Sequence, residues 1–277
     1  MIRVVALSLL FLVLGGGEGV PLRVASFNIR YGTANDGENR WEARRDAVAT
    51  AVERLAPDVL GVQEALAFQV AFLRERLPEF ESYGVGRDDG AEGGEQCAIF
   101  WRRDRFDRLG AGTFWLSETP DAPGSRGWDA ALPRIASWVR LRDRAAGGRT
   151  FVFANTHFDH RGAAARLESA RLLDRRLAAL AGPEPVVLAG DFNCGEGSEP
   201  HAALARFVDT YRAAHPERGE AEGTFHEFQG GPGLRNERID WIRVSPRFET
   251  KEAAIDMRPV DGRLPSDHHP VAATVEW

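Results

Sequence analysis

The stretch VVLAGDFNCG, residues 186 to 195, runs an apolar segment suited to a buried strand, Val186 to Gly190, straight into Asp191 and Asn193. A carboxylate and an amide at the point where a strand leaves its sheet can close an Asx-type turn, because both side chains hydrogen-bond their own backbone. The same pair can do chemistry: an aspartate accepts a proton from an attacking water, and an asparagine donates to developing negative charge. Other strand ends repeat the pattern. VASFNIRYG puts Asn28 after an apolar run, VLGVQEA does so with Glu64, FANTHFDH with His157, and LPSDHHPV sets Asp267 and His268 just before a strand. RIDWI places Asp240 between Ile239 and Trp241, where an ionised carboxylate is expensive to bury without a partner. A histidine would satisfy it, and an imidazole oriented by an aspartate has a fixed tautomer and raised basicity.

Taken singly, each residue has a plain structural role, Asn28 as a turn cap, Glu64 beside a helix N-terminus, the histidines as satisfied core groups. Taken together they supply what metal-assisted phosphoester hydrolysis requires. Hard oxygen ligands, Glu64 and Asp267 with help from Asn28, suit Mg2+ or Mn2+. Asp191 would activate the water, Asn193, Asn28 and His157 would donate to phosphoryl oxygens, and Arg134 would add a positive contact. His268, held by Asp240, would act as a cationic stabiliser or proton donor. Asp159, His160 and Arg166, together with the glycine-rich stretch 223–233, are candidates for shaping the substrate pocket, with a solvated helix start and a loop as the alternative.

These groups need short strands to carry them. Apolar runs predict strands over Leu22–Ile29, Asp58–Val62, Gln96–Trp101, Ile135–Leu141, Thr150–Thr156, Pro185–Ala189, Ile239–Val244 and Val271–Glu276. Helices are expected over Trp41–Leu55, Ala67–Leu77, Ala163–Leu180 and about Pro200–Arg206, the first with its arginines turned away from the apolar face. Several strands are too apolar for sheets with one face in water, which predicts two packed sheets with helices outside. Long loops at 84–95, 117–132 and 219–237 are expected to be functional or mobile.

The 277 residues suit one large domain, and a formal net charge of -6 with a single lysine, Lys251, argues against gripping long duplex nucleic acid by general attraction. Met1-Ile2-Arg3, the apolar run Val4 to Leu14 and the small residues after it read as a secretory signal over 1–20, too short to span a bilayer. That leaves one catalytic domain over 21–277, secreted or periplasmic, without stable membrane insertion once the signal is removed, and a monomer is expected. Cys97 and Cys194 could form one bridge in an exported protein, but two cysteines are too few for a stapled scaffold, and sequence alone does not say whether they come within bonding range.

SFNIR, GVQEA, NTHFDH, GDFN, RIDWI and SDHHPV, in that order and over nearly the whole chain, resemble the endonuclease/exonuclease/phosphatase superfamily. The resemblance implies a DNase I-like α/β fold, a four-layered sandwich of two central, mostly antiparallel sheets flanked by helices, with Mg2+-dependent phosphoester cleavage at one end of the sheets. It implies metal and phosphate positions at Asn28 and Glu64, a phosphate-contacting histidine at His157, and the water-activating aspartate with its asparagine at Asp191 and Asn193. It further implies an orienting acid at Asp240, a second metal-side carboxylate at Asp267 and the essential histidine at His268, with His269 non-catalytic. SFNIRYG, NRWEARR and RIASW are similar to exported bacterial members, nearest the nocturnin-like branch. No basic DNA-gripping insertion or lipid-entering hairpin is evident, so the phosphoester substrate stays open among nucleic acid, nucleotide, lipid headgroup, inositol phosphate and sugar phosphate.

Two rivals bear weighing. A dinuclear zinc hydrolase would need more nitrogen or sulfur ligands, and Phe158 and Asp159 break the histidine spacing after His157. A recognition module that lost its chemistry would be expected to have lost Asp191, His268 or Glu64, and all three are present. No phosphate-binding G-x-x-x-x-G-K-[ST] loop occurs.

Overall fold

The computed structural model describes residues 19–277; the signal expected over 1–20 lies almost wholly outside the described residues. Twelve strands and five α-helices follow in the order β1 (Leu22–Asn28), α1 (Trp41–Leu55), β2 (Val59–Ala65), α2 (Ala67–Arg76), β3 (Phe80–Tyr83), β4 (Gln96–Arg102), β5 (Phe106–Trp115), β6 (Ile135–Asp143) and β7 (Arg149–His157). Then come α3 (Ala163–Ala181), β8 (Val186–Asp191), α4 (Glu199–Ala203), β9 (Val208–Asp209), α5 (Thr210–Ala214), β10 (Asp240–Val244), β11 (Glu249–Ile255) and β12 (Val271–Glu276). The strands form two six-stranded sheets, ordered β11-β12-β1-β2-β4-β3 and β5-β6-β7-β8-β10-β9. Only β1 with β2 and β7 with β8 pair in parallel.

Three apolar layers make this a four-layered sandwich. Val24, Val59 and Ile99 of the first sheet meet Phe151, Phe153, Val187 and Ile242 of the second between the sheets. Ala25, Phe27, Leu60 and Val62 turn outward against Val48, Val52 and Leu55 of α1 and Leu73 of α2. Val152, Ala154 and Leu188 turn outward against Leu173 and Leu177 of α3. Successive residues of a strand point to opposite faces, so a strand covered on both faces must be apolar at every position, which is why these runs do not alternate.

Helix α1 departs from expectation. Arg44 is buried, not solvated, and its guanidinium donates to the carbonyls of Asn39, Ile29, Pro265 and Arg30. It thereby ties the segment after β1 to the segment preceding His268. The helix stops where Ala56 turns left-handed ahead of Pro57.

A polar clamp joins the two sheets. Asn155 of β7 donates to the carbonyls of Val62 and Ala98 at 2.8 and 3.0 Å and accepts from Gln63 Nε2 at 2.6 Å. Gly61 is required opposite it, since a Cβ there would come within 2.7 Å of the Asn155 side chain. Among the described residues no helix is long and apolar enough to cross a membrane, and both cysteines are free.

Candidate active site

Strand register brings the chemistry together. In the second sheet His157 pairs with Asp191 and Asp191 with Asp240, so three adjacent strands present one row of functional side chains. In the first sheet Asn28 ends β1 next to Gln63 of β2. Glu64 follows at a bulge where the pairing with β4 slips between Val62 and Ala65. Its backbone is left-handed, φ 60°, a strained state for glutamate that persists where the surroundings fix it, often at functional sites. The bulge turns the carboxylate inward, where Oε1 accepts from Asn28 Nδ2 at 3.0 Å and Oε2 from the Tyr31 amide at 3.0 Å.

Asp191 sits at the centre. Oδ1 accepts from the Asn193 amide at 2.9 Å and Oδ2 from Asn28 Nδ2 at 2.9 Å, while His157 Nε2 stands 3.4 Å and His268 Nε2 3.8 Å from Oδ2. Burial and nearby Asp240 push its carboxyl up to about 7, against the opposing pull of His268 and Asn28. A carboxylate poised near neutrality suits a general base.

His268 Nδ1 meets Asp240 Oδ2 at 2.8 Å. Burial disfavours the charged ring, but Asp240 and Asp191 outweigh it and push His268 up to about 10. The 3.5 Å contact of Nε2 with Asn28 Nδ2 cannot be a hydrogen bond while the ring is charged, since both atoms then donate. His157 behaves oppositely, held well below the usual imidazole range by burial and by the guanidiniums of Arg134 and Arg87. Asn193 Nδ2 donates to the Phe158 carbonyl at 2.9 Å and to His157 Nε2 at 3.0 Å, which places the proton of the neutral ring on Nδ1. Both amide protons of Asn193 are therefore spent on positioning His157 rather than offered to a phosphoryl oxygen.

These residues line a cleft of about 520 Å³. Glu64, His157, Asp191, Asn193, Asp267 and His268 share it, and Arg134 and His160 stand on its wall. Asn28 and Asp240 lie behind, buried against the residues they hold. Asp159 and Arg166 do not line the cleft. Asp159 is consumed by the backbone amides of Ala131, Leu132, Arg161 and Gly162, and Arg166 donates to the Asp159 carbonyl. They staple loops and reach the site only through Arg134 and His160.

Arg30, Tyr31, Arg87, Glu95 and Phe225 also line the cleft. Phe225 comes from the stretch 223–233 expected to shape the pocket, whereas Arg87 and Glu95 come from the 84–95 loop, where loop length was the only signal. Glu95 pairs with Arg87 at 2.6 Å, and burial together with Glu64 pushes it up to about 7.

Two clusters pair carboxylates with an imidazole, and of these the one without the charged His268 ring is open to a cation. Carboxylate or imidazole atoms of Glu64, His157 and Asp191 lie within 4.8 Å of one another, as do those of Asp191, Asp240 and His268. Asp267 joins neither cluster; it accepts from Ser266 Oγ and faces Arg30 at 3.7 Å. Burial pushes Asp267 up, with His268 opposing and Glu64 adding to the rise, which marks an excess of negative charge that a cation would relieve. Two carboxylates and one imidazole without thiolate, as at Glu64, Asp191 and His157, make a donor set that a divalent cation such as Mg2+ or Mn2+ fits.

The comparisons with known proteins agree with this geometry. The endonuclease/exonuclease/phosphatase family matches residues 25–268. A family protein from Bacteroides vulgatus is 39% identical at TM-score 0.87, over 93% of this chain and 99% of that one. A mannosyl-6-phosphatase from Bacteroides thetaiotaomicron is 37% identical at TM-score 0.86, over 92% of this chain and all of that one. Nocturnin of Drosophila melanogaster is 31% identical over 221 residues, 70% of this chain but 32% of the fly protein, so the chain spans about a third of that relative's length. With its two packed sheets and the polar row at their ends, the chain belongs to the endonuclease/exonuclease/phosphatase family.

Proposed function

We propose that the protein is a divalent-metal-dependent phosphoester hydrolase acting outside the cytoplasm as a monomer on small polar esters such as sugar phosphates. One observation carries the reading: a single buried carboxylate, Asp191, is flanked by the cationic imidazole of His268, the neutral imidazole of His157 and the amide of Asn28. Asp191 takes the proton from the attacking water at Oδ2, the oxygen nearest both imidazoles. His268, kept charged by Asp240, faces the negative charge that grows on the phosphoryl oxygens or the leaving oxygen. Glu64 would hold Mg2+ or Mn2+, with Asn28 fixing its carboxylate and Asp267 adding negative charge nearby, and the ion would neutralise charge on the phosphoryl group.

The sugar-phosphate class is supported by the mannosyl-6-phosphatase relative, which this chain covers fully. A nuclease reading has the fly nocturnin in its favour and the net charge of -6 against it. The test is a panel of p-nitrophenyl phosphate, bis-p-nitrophenyl phosphate, sugar and inositol phosphates, RNA, DNA and sphingomyelin, after chelation and with Mg2+, Mn2+ or Zn2+ restored. Activity should return with Mg2+ or Mn2+, and Asp191→Ala and His268→Ala should each lower turnover about a hundredfold or more. Near-native rates in both variants, or restoration by zinc alone, would refute the reading.

A further inference from the structure

The wall of the cleft beside His157 holds two guanidiniums whose bonding is incomplete. Arg134 is 4% and Arg87 8% exposed. Arg134 Nη2 donates to His160 Nδ1 at 3.0 Å, but neither its Nε nor its Nη1 has a hydrogen-bond acceptor. Its nearest carboxylate oxygen, Asp159 Oδ2 at 3.5 Å, already receives the amides of Ala131 and Leu132. Arg87 spends Nη1 on Glu95 and leaves Nε, 4.0 Å from Asp88, without an acceptor. His157 Nδ1, the protonated nitrogen of that ring, is also buried without a hydrogen-bond acceptor, Glu95 Oε2 standing 3.8 Å away.

Four donors of one wall thus lack acceptors. A buried donor without an acceptor is costly, the more so where it is charged. An oxyanion placed among them would recover that cost through charge-assisted bonds. The recess that Arg87, Arg134 and His157 share is lined also by the carboxylates of Glu64 and Glu95, the latter already paired with Arg87, and by Gln96, whose Oε1 lacks a donor; it has about 10 Å³ of free space, room for an atom the size of one water oxygen. A carbon substituent on that oxygen has nowhere to go.

We propose that Arg87 and Arg134 form a subsite for an unesterified phosphoryl oxygen, which makes the protein selective for phosphomonoesters over diesters. The inference rests on the phosphoester-hydrolase reading above and names the substrate class within it. A monoester offers an unsubstituted oxygen in every orientation about phosphorus. A diester must either aim its one remaining pair of free oxygens at both the metal side and this wall, or press an alkoxy group into the recess. A site built around such donors rejects the ligand that cannot pair them.

The decisive measurement is kcat/KM for p-nitrophenyl phosphate against bis-p-nitrophenyl phosphate, in the full protein with Mg2+, for the native chain, Arg87→Gln and Arg134→Lys. The native chain should prefer the monoester by about a hundredfold or more, and each variant should collapse that ratio at least about tenfold. A second readout needs no turnover: inorganic phosphate should raise the melting temperature of the chelated protein, and the shift should shrink in both variants. Arg87 lies on a loop, so its variant tests the idea even if Arg134→Lys does not fold. A native preference for the diester, variants that lower both substrates equally, or a phosphate response untouched by either variant would each overturn the subsite, the last leaving a buried water only in the recess. If neither ester is cleaved while the arginine-dependent phosphate response persists, the subsite stands and the hydrolase reading falls.

Discussion

Asn28 Nδ2 lies 2.9 Å from Asp191 Oδ2, one amide joining the end of the first sheet to a carboxylate 163 residues away at the end of the second. The same nitrogen reaches Glu64 Oε1 at 3.0 Å. One neutral donor therefore keeps two carboxylates close without a third charge, and its Oδ1 is held by the Arg30 amide at 3.0 Å.

Replacing that donor by an anion tests its role. Asn28→Asp sets three carboxylates together in a buried space, raising Asp191 further and opposing its ionised form. Turnover should fall about a hundredfold or more, since the group that fails is one that must be correctly charged. Steady-state rates on p-nitrophenyl phosphate, with circular dichroism as the check on folding, decide it. Rates within a few-fold of native would show that the amide is only a spacer.

Asp240 acts through His268. In Asp240→Asn the imidazole loses the anion that holds Nδ1–H and keeps the ring charged. The folded-state pKa of His268, now about 10, should drop toward the ordinary value near 6.5, so the ring discharges as pH rises through neutrality. Turnover should fall by two orders of magnitude or so, and the loss should deepen from pH 6 to pH 8. Proton NMR of the His268 ring across that range gives the titration directly; a ring still charged at pH 8.5 in the variant would show that Asp191 alone holds it.

The four inner strands of each sheet were legible in the sequence because they are buried over most of their length, as in the all-apolar Val186–Ala189 of β8. The edge strands were not. β11 reads ETKEAAI with every residue at least partly exposed, and β5 carries Gly110 and Gly112 through a half-exposed run, so neither shows an apolar signature. Asp191, His268 and their partners were visible as polar residues at strand ends. Arg87 and Glu95 were hidden in RDDGAEGGEQ, where glycine and acid read as solvated loop. Arg44 was misjudged because helical spacing shows which face a residue shares, not which long side chain turns back to cap nearby carbonyls.

Asn155 carries stability rather than chemistry. Its loss leaves the carbonyls of Val62 and Ala98 and the amide of Gln63 short of partners between the sheets. Asn155→Leu also sets a larger apolar group against Gly61. With a buried unmet group costing roughly 1–3 kcal/mol, unfolding free energy in urea should drop by about 2–5 kcal/mol. A change below about 0.5 kcal/mol would mean the two sheets hold their alignment through the apolar layer alone.

Asp159 sets the acid limit of the loops behind the cleft. Burial pushes its carboxyl up, but the amides of Gly162, Arg161 and Ala131 and the Arg134 guanidinium outweigh that and hold it down to about 2. The unfolded value is near 3.9, so the folded state binds the anion more tightly, and the stability this adds is present above about pH 4 and lost as pH falls through about 2. The contribution is on the order of 2 kcal/mol. Asp159→Asn removes the charge and keeps the size, so its melting temperature should lie below the native one at pH 7 and the gap should narrow steadily between pH 4 and pH 2. A gap that stays constant over that interval would mean the amide bonds hold a neutral acceptor equally well, and that the carboxylate charge does not anchor Ala131 and Gly162.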